Sequence, residues 1–246
     1  STLALGFILV VVVTGAQGYE MVKNSFFNWH YAKQAMPSVF QGLLLNLRVL
    51  IIAEFFVLVL GLLIAIARTT TSPVLYPVRL VATIYTDLFR GLPLLLVLLL
   101  VGLGIPGLRI SWIPNSAVVL GTVALVLTYS AYVAEVIRAG IEGVNPTQRQ
   151  AARALGLTQP QTLEHVVLPQ AFRNVTPPLL NDLVSLQKDS GLISVLGAVD
   201  AIRAAGIQTA QSFNFTPYVV AGGLFVLLTI PLTRYTDWLI RKQDRA

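Results

Sequence analysis

Eight ionisable side chains lie within or at the edge of long apolar stretches: Arg48, Glu54, Asp87, Arg90, Glu135, Asp182, Lys188 and Asp189. Such groups are costly away from water and face a protein interior or a water-filled path. Their types suit charge-assisted binding more than bond-making. Arg90 offers paired donors to a carboxylate, although Asp87, three residues earlier, could take up those donors within one helix. Glu135 precedes Arg138 by one helical turn and could pair with it. Asn181, Ser185 and Lys188 recur at i, i+4 and i+7, and Asp182, Ser185 and Asp189 form an overlapping stripe at i, i+3 and i+7. A lining with both signs of charge suits a zwitterion, whose carboxylate and ammonium both need partners once out of bulk water. The alternative is a polar seam between packed membrane helices. Asp87, Arg90, Glu135, Asn181, Asp182, Ser185, Lys188 and Asp189 are therefore candidate pathway residues. Arg48 is read as snorkelling to an interface.

No bond-making site is expected. There is no cysteine, hence no disulfide, thiolate nucleophile or thiolate metal site. His30 and His165 are far apart in the chain and form no metal cluster. A P-loop needs a lysine directly after a glycine, and none of Lys23, Lys33, Lys188 and Lys242 follows one. The chain is read as no enzyme, with no catalytic residue, no metal and no cofactor of its own.

The elements that position these residues are membrane helices. Of 246 residues, 55% are hydrophobic and 11% charged, against about 25% charged in a soluble domain. Apolar blocks run from about 40 to 67, 80 to 104, 116 to 137, 178 to 199 and 217 to 240. All but the fourth, which is more polar, comfortably meet the ~20 residues a span requires, and helices satisfy their own backbone groups in lipid. A further apolar run, Leu3 to Val13, is read as a transmembrane helix over 1–18 whose start precedes Ser1. A signal peptide fits less well, because no basic stretch precedes the run. Residues 19–38 mix aromatic and basic side chains and are read as an extracytoplasmic interfacial segment, with an ordinary loop that buries some of its aromatics as the alternative. The core domain is expected over 39–242.

The net charge of +6 is read through the positive-inside rule, not as a nucleic-acid signal. With six spans and a cytoplasmic N-terminus, ten basic residues fall inside: Arg68, Arg79, Arg138, Arg149, Arg153, Arg173, Arg234, Arg241, Lys242 and Arg245. Four fall outside: Lys23, Lys33, Arg109 and Arg203. Both termini and the polar loop over 138–177 are therefore expected in the cytoplasm.

That loop carries helix signals. Asn145-Pro146 reads as an N-cap with proline at the first helical position, and Gly156 as a C-terminal stop. The helix between them, about eleven residues or ~16 Å long, is too short to span. Ala151, Ala152 and Leu155 form a small apolar stripe flanked by Arg149 and Arg153, suited to docking in a groove of a cytosolic partner. A second short helix is expected from about 160 to 167, closed by Leu168-Pro169.

Gln150-Ala151-Ala152, three residues, Gly156, nine residues and Val166-x-Leu168-Pro169 resemble the EAA motif of ABC-importer permeases, which reads Glu-Ala-Ala, three residues, Gly, nine residues, Ile-x-Leu-Pro. The departures are Gln150 for Glu and Val166 for Ile, and the first removes a charge. Ala131-Tyr-Val-Ala-Glu135-Val-Ile-Arg138-Ala-Gly140-Ile, Phe89-Arg90-Gly91-Leu-Pro93 and Leu186-Gln-Lys188-Asp189-Ser190 resemble the polar amino acid group, which serves importers of histidine, glutamine, glutamate and arginine. The resemblance covers about 38 to 242.

It implies an all-α, polytopic type I importer fold with five core transmembrane helices, to which the N-terminal helix is an addition. It also implies a bacterial cytoplasmic-membrane permease that moves a polar amino acid by alternating access. The partners implied are a cytosolic ABC ATPase dimer holding ATP and Mg, a second identical or similar permease, an extracytoplasmic amino-acid-binding protein and membrane lipid. Arg149, Gln150, Ala151, Ala152, Arg153, Leu155, Gly156, Leu168 and Pro169 would form the ATPase contact. The residues alone leave a rival open, a carrier or channel driven by an ion gradient.

Overall fold

Among the described residues of a computed structural model (15, 17–70, 72–110 and 113–244), every regular element is helical. The expected helix over 1–18 lies almost wholly outside them. The elements are α1 (Tyr19–Phe26), α2 (Trp29–Thr69), α3 (Tyr76–Gly91), α4 (Leu94–Gly107), α5 (Ala117–Glu142), α6 (Pro146–Ala154), α7 (Gln159–Thr162), α8 (Leu168–Asp189), α9 (Ala201–Ser212) and α10 (Thr216–Asp244). A 3₁₀ turn, Pro73–Leu75, precedes α3, a π turn, Leu163–Val167, joins α7 to α8, and a 3₁₀ segment, Ser190–Leu196, follows α8.

Among the described residues, three helical stretches are long and apolar enough to cross a membrane: Tyr19–Thr69, Ala117–Glu142 and Thr216–Gln243. Two bent pairs raise the number to five if each is one span. The apolar block over 80–104 is one such pair, bent by 107°, and not the straight span expected. Leu92 is extended, with ψ 137°, because the ring of Pro93 disfavours helical geometry in the preceding residue. Pro93 then opens α4 by accepting from the N–H groups of Leu96 and Val97.

The block over 178–199 lies for the most part within the helical stretch Gln159–Leu196. Two expectations fail here. Leu168-Pro169 does not close the loop helix, and Pro177-Pro178 does not start a span, since both proline sites lie within α8. At Pro169 the π turn absorbs the defect. Leu168 N–H bonds to Leu163 C=O, five residues back, and this wider turn leaves room where proline lacks a donor. Nor is there a break near 38, because α2 runs from Trp29 through Pro37.

The chain divides into two compact units. Among the described residues the first comprises 17–45 with 199–227. Phe26 and Phe215 stack at 5.1 Å. Asn28 N–H donates to Thr216 Oγ1 at 3.0 Å, and Asn214 Nδ2 to Asn24 C=O at 2.9 Å. Asp200 caps α9 by accepting from Arg203 N–H.

The second unit comprises 46–198 with 228–244 among the described residues. Its centre is α5, which buries Leu125, Val133 and a series of small residues. Helix α8 packs closely on it. A Cβ on Gly140 of α5 would collide with Val175 Cγ2 of α8, so only glycine allows this approach. Polar side chains bond across helices inside this unit, as membrane helix pairs do. Asn46 Nδ2 donates to Ser190 C=O at 3.0 Å, Thr229 Oγ1 to Gln187 Oε1 at 2.7 Å, and Tyr85 Oη to Leu127 C=O at 2.8 Å.

Candidate functional site: the polar loop and the charged cluster

The loop helix α6 has nine residues, slightly fewer than expected, and both its ends are built by local chemistry. Asn145 Oδ1 accepts from Thr147 N–H at 2.9 Å, satisfying one of the free donors of the first turn. At the other end Gly156 N–H bonds to Arg153 C=O and Leu157 N–H to Ala152 C=O, a paired C-terminal closure that requires a left-handed residue. Gly156 supplies it with φ +88°. Thr158 and Gln161 then form a reciprocal capping box that starts α7. A small core of Val144, Val167 and Ala171, with Ile141 against it, holds the loop together.

The expected apolar stripe divides between two faces. Ala152 is buried within the fold, whereas Gln150, Ala151 and Leu155 are exposed, Leu155 at 85%. Arg149 turns inward, and its Nη2 donates to Ile141 C=O at 2.6 Å. Arg153 is exposed and bonds to Leu157 C=O at 3.0 Å. Leu168 and Pro169 are exposed on the first turn of α8. Gln150, Ala151, Arg153, Leu155, Leu168 and Pro169 are therefore solvent-exposed, with Ala152 and Arg149 turned towards the fold.

The charged residues assemble around Glu135. Arg138 lies one turn on, as expected, with Nη2 2.6 Å from Glu135 Oε1. Arg138 also pairs with Glu142. Two further arginines arrive from other helices. Arg68 Nη1 is 2.6 Å from Glu135 Oε2, and Arg90 Nη1 is 3.5 Å from the same oxygen. The pairing of Arg90 with Asp87 is thus replaced by one with Glu135, and Asp87 is exposed. The difference is one of reach: the bend at Pro93 ends α3 beside α5, where a partly buried carboxylate already binds two arginines. Arg68 and its part in the cluster escaped sequence reasoning, because nothing local links residues 67 apart.

The polar stripe on α8 also divides. Asn181 and Lys188 are exposed, while Asp182, Ser185 and Asp189 are half-buried. Tyr129 Oη of α5 donates to Asp189 Oδ2 at 2.7 Å. Glu54 of α2 lies within electrostatic reach of Asp182. Asp189 thus meets α5 through Tyr129, whereas Lys188 is exposed. Tyr129, Gln187 and Asn46 belong to this polar interior and were not singled out. For Asn46 a signal existed, a lone amide within an apolar run.

Comparison with known proteins gives this architecture a family. The sequence pattern of the binding-protein-dependent transport system inner membrane component matches residues 60–245. The arginine transport system permease protein ArtQ of Bacillus subtilis is 34% identical over 199 residues, covering 80% of this chain and 89% of that protein. A putative glutamine transport system permease protein GlnP of Rickettsia conorii is 37% identical over 206 residues, covering 82% and 92%. Among solved structures, an amino acid ABC transporter superposes with a TM-score of 0.77 at 34% identity, covering 84% of this chain and 94% of that one. The MetNI methionine ABC transporter shares the fold, with a TM-score of 0.67 at 20% identity. These likenesses favour the ABC-importer reading over a gradient-driven carrier. The chain is the membrane-spanning permease subunit of an ABC importer and belongs to the family of binding-protein-dependent transport system inner membrane components.

Proposed function

We propose that this permease carries a polar amino acid of the arginine or glutamine class into the cytoplasm by alternating access. The observation that carries the reading is the polar loop, whose exposed Gln150, Ala151 and Leu155 are presented on a short helix capped at both ends. A capped helix on a packed base transmits force as a rigid lever. The partners are two cytosolic ATPase subunits that hold ATP and Mg, a second permease subunit, an extracytoplasmic binding protein and the surrounding lipid. Both termini and the α6 loop face the cytoplasm, in keeping with the basic residues Arg68, Arg138, Arg149 and Arg153. The polar faces of α5 and α8, with Asp182, Ser185 and Asp189, line the path, and the Glu135 cluster holds α2, α3 and α5 together near the loop. The likeness to relatives named for arginine and glutamine supports the substrate class.

The test is to reconstitute the complex with its ATPase and binding protein in vesicles. Uptake of labelled arginine and of labelled glutamine is then followed together with ATP hydrolysis. The expected result is ATP-dependent uptake of one of them, stimulated by the loaded binding protein. Uptake driven by an ion gradient without ATP would reject the reading.

A further inference from the structure

Helices α2 and α3 enclose an open groove of about 640 Å³ on the second unit. Leu60, Leu63 and Ala67 form one wall, at i, i+3 and i+7, and Val78, Val81 and Tyr85 the other. Leu127 of α5 forms the floor. The walls present no free polar group. Tyr85 Oη, the one lining polar group of a side chain, is already engaged by Leu127 C=O and Ser130 Oγ, each at 2.8 Å. Leu63 and Val81 are 56% and 67% exposed. One wall belongs to a stretch long and apolar enough to cross a membrane and the other to a bent apolar pair, so the part of the occupant that lies between them is apolar.

One end of the groove is charged. Arg79 Nη1 donates to Thr70 C=O at 3.1 Å, three residues beyond Ala67, and its guanidinium lies over the Tyr76 ring at 5.3 Å. Tyr76 is next to Pro77, which also lines the groove. Tyrosine and arginine at the end of a span mark the depth of the headgroups. Arg68 nearby is committed to Glu135. Among the described residues, no carboxylate pairs with Arg79. Its remaining donors are available to an anion at the mouth of an apolar channel.

We infer that this groove is a binding site for an anionic glycerophospholipid, with one acyl chain lying between α2 and α3 and the phosphate held by Arg79. Charge complementarity selects a lipid over a helix of another subunit. An apolar helix would cover the walls but leave the guanidinium without a counter-ion. A phospholipid supplies an apolar tail and an anion in that order along the groove. Basic pockets between membrane helices recognise anionic headgroups in this way. The orientation proposed above places this end of the groove in the cytoplasmic leaflet, but the binding itself does not rest on that orientation.

The test uses the whole permease–ATPase complex in nanodiscs that contain either phosphatidylglycerol or phosphatidylcholine, each with a photoreactive group on one acyl chain. Labelled peptides are mapped by mass spectrometry. Phosphatidylglycerol is expected to label the 60–67 and 77–85 segments about five-fold more than phosphatidylcholine, the factor for one basic side chain at an anionic surface. Arg79→Gln should remove that preference. Val81→Trp, which fills the groove and keeps Arg79, should remove the labelling itself. Equal labelling by both lipids, or a preference that survives Arg79→Gln, overturns the inference and leaves bulk lipid contact. Absent labelling overturns it as well. A disulfide from Leu63→Cys to a cysteine placed in a second permease subunit would then identify a protein cover, since the 246 residues hold no cysteine of their own to compete.

Discussion

Arg68 and Glu135 stand 67 residues apart in the chain, and their side chains meet with Nη1 2.6 Å from Oε2. The contact ties the end of α2 to α5. Arg138 completes a fork on the other oxygen, and Arg90 approaches from α3. A single carboxylate is thus shared as counter-ion by three arginines of the second unit, and Glu142 takes up part of the charge of Arg138.

Replacing Glu135 by Gln should leave these arginines without their shared counter-ion. The cluster is partly open to solvent, with Glu135 at 20% and Arg90 at 40% side-chain exposure, so a cost of about 1–3 kcal/mol is expected, below that of breaking a fully buried pair. The check is the apparent melting temperature of the purified complex. In a double-mutant cycle, Glu135→Gln and Arg68→Gln should couple by more than ~0.5 kcal/mol; simple additivity would show that the contact carries no energy.

Gly140→Ala should destabilise the α5–α8 crossing by about 1–3 kcal/mol through overpacking, because the new Cβ meets Val175 Cγ2. Val175→Ala in the same chain removes the colliding atom and should recover much of the loss. Thermal unfolding of the two single variants and the double variant decides this; absence of recovery would place the strain elsewhere.

At Gly156 the expectation is different. No atom lies within 4 Å of an added Cβ, so the cost of substitution is conformational, about 1 kcal/mol for alanine at a left-handed position. Asparagine should be tolerated better than alanine and valine worse. The order should appear in amino acid uptake per ATP hydrolysed, since the α6 closure fails before the core does. Equal coupling in the asparagine and valine variants would count against a role for this turn.

Two substitutions on α6 separate its faces. Gln150→Glu lies on the exposed face and should change stability by less than ~0.5 kcal/mol while altering coupling. Ala152→Glu places a charge at a site only 5% exposed and should lower the amount of folded complex. Expression and melting of both variants, beside ATPase coupling, test the division. A stable Ala152→Glu complex would show that this face opens to the partner.

Tyr129→Phe removes the donor to Asp189 Oδ2, at a cost of about 0.5–1.5 kcal/mol. If α5 and α8 line the path, Tyr129→Phe and Asp189→Asn should also shift the KM for uptake while coupling persists. An unchanged KM with lowered stability would assign the pair to a polar seam.

Local chemistry was legible in the residues themselves. Asn145-Pro146 and Gly156 bounded α6 because capping and left-handed backbone preferences act within a few residues. The spans at 117–142 and 216–243 followed from apolar length, and the Glu135–Arg138 pair from helical spacing. Proline was misread at Pro169 and Pro177-Pro178, where a π turn and tertiary packing carried the helix through what is usually a stop.

Which faces meet was set by packing. The direction of Ala152, the transfer of Arg90 from Asp87 to Glu135, the arrival of Arg68 and the contact of Tyr129 with Asp189 depend on helices distant in the chain. Spacing along one helix states which residues share a face, but not which neighbouring helix that face will meet. Residue order thus specifies a helical membrane chain with a capped, exposed loop, and packing chooses the ion pairs and the seam within it, because a partly buried charge pairs with whichever opposite charge the neighbouring helices bring within reach.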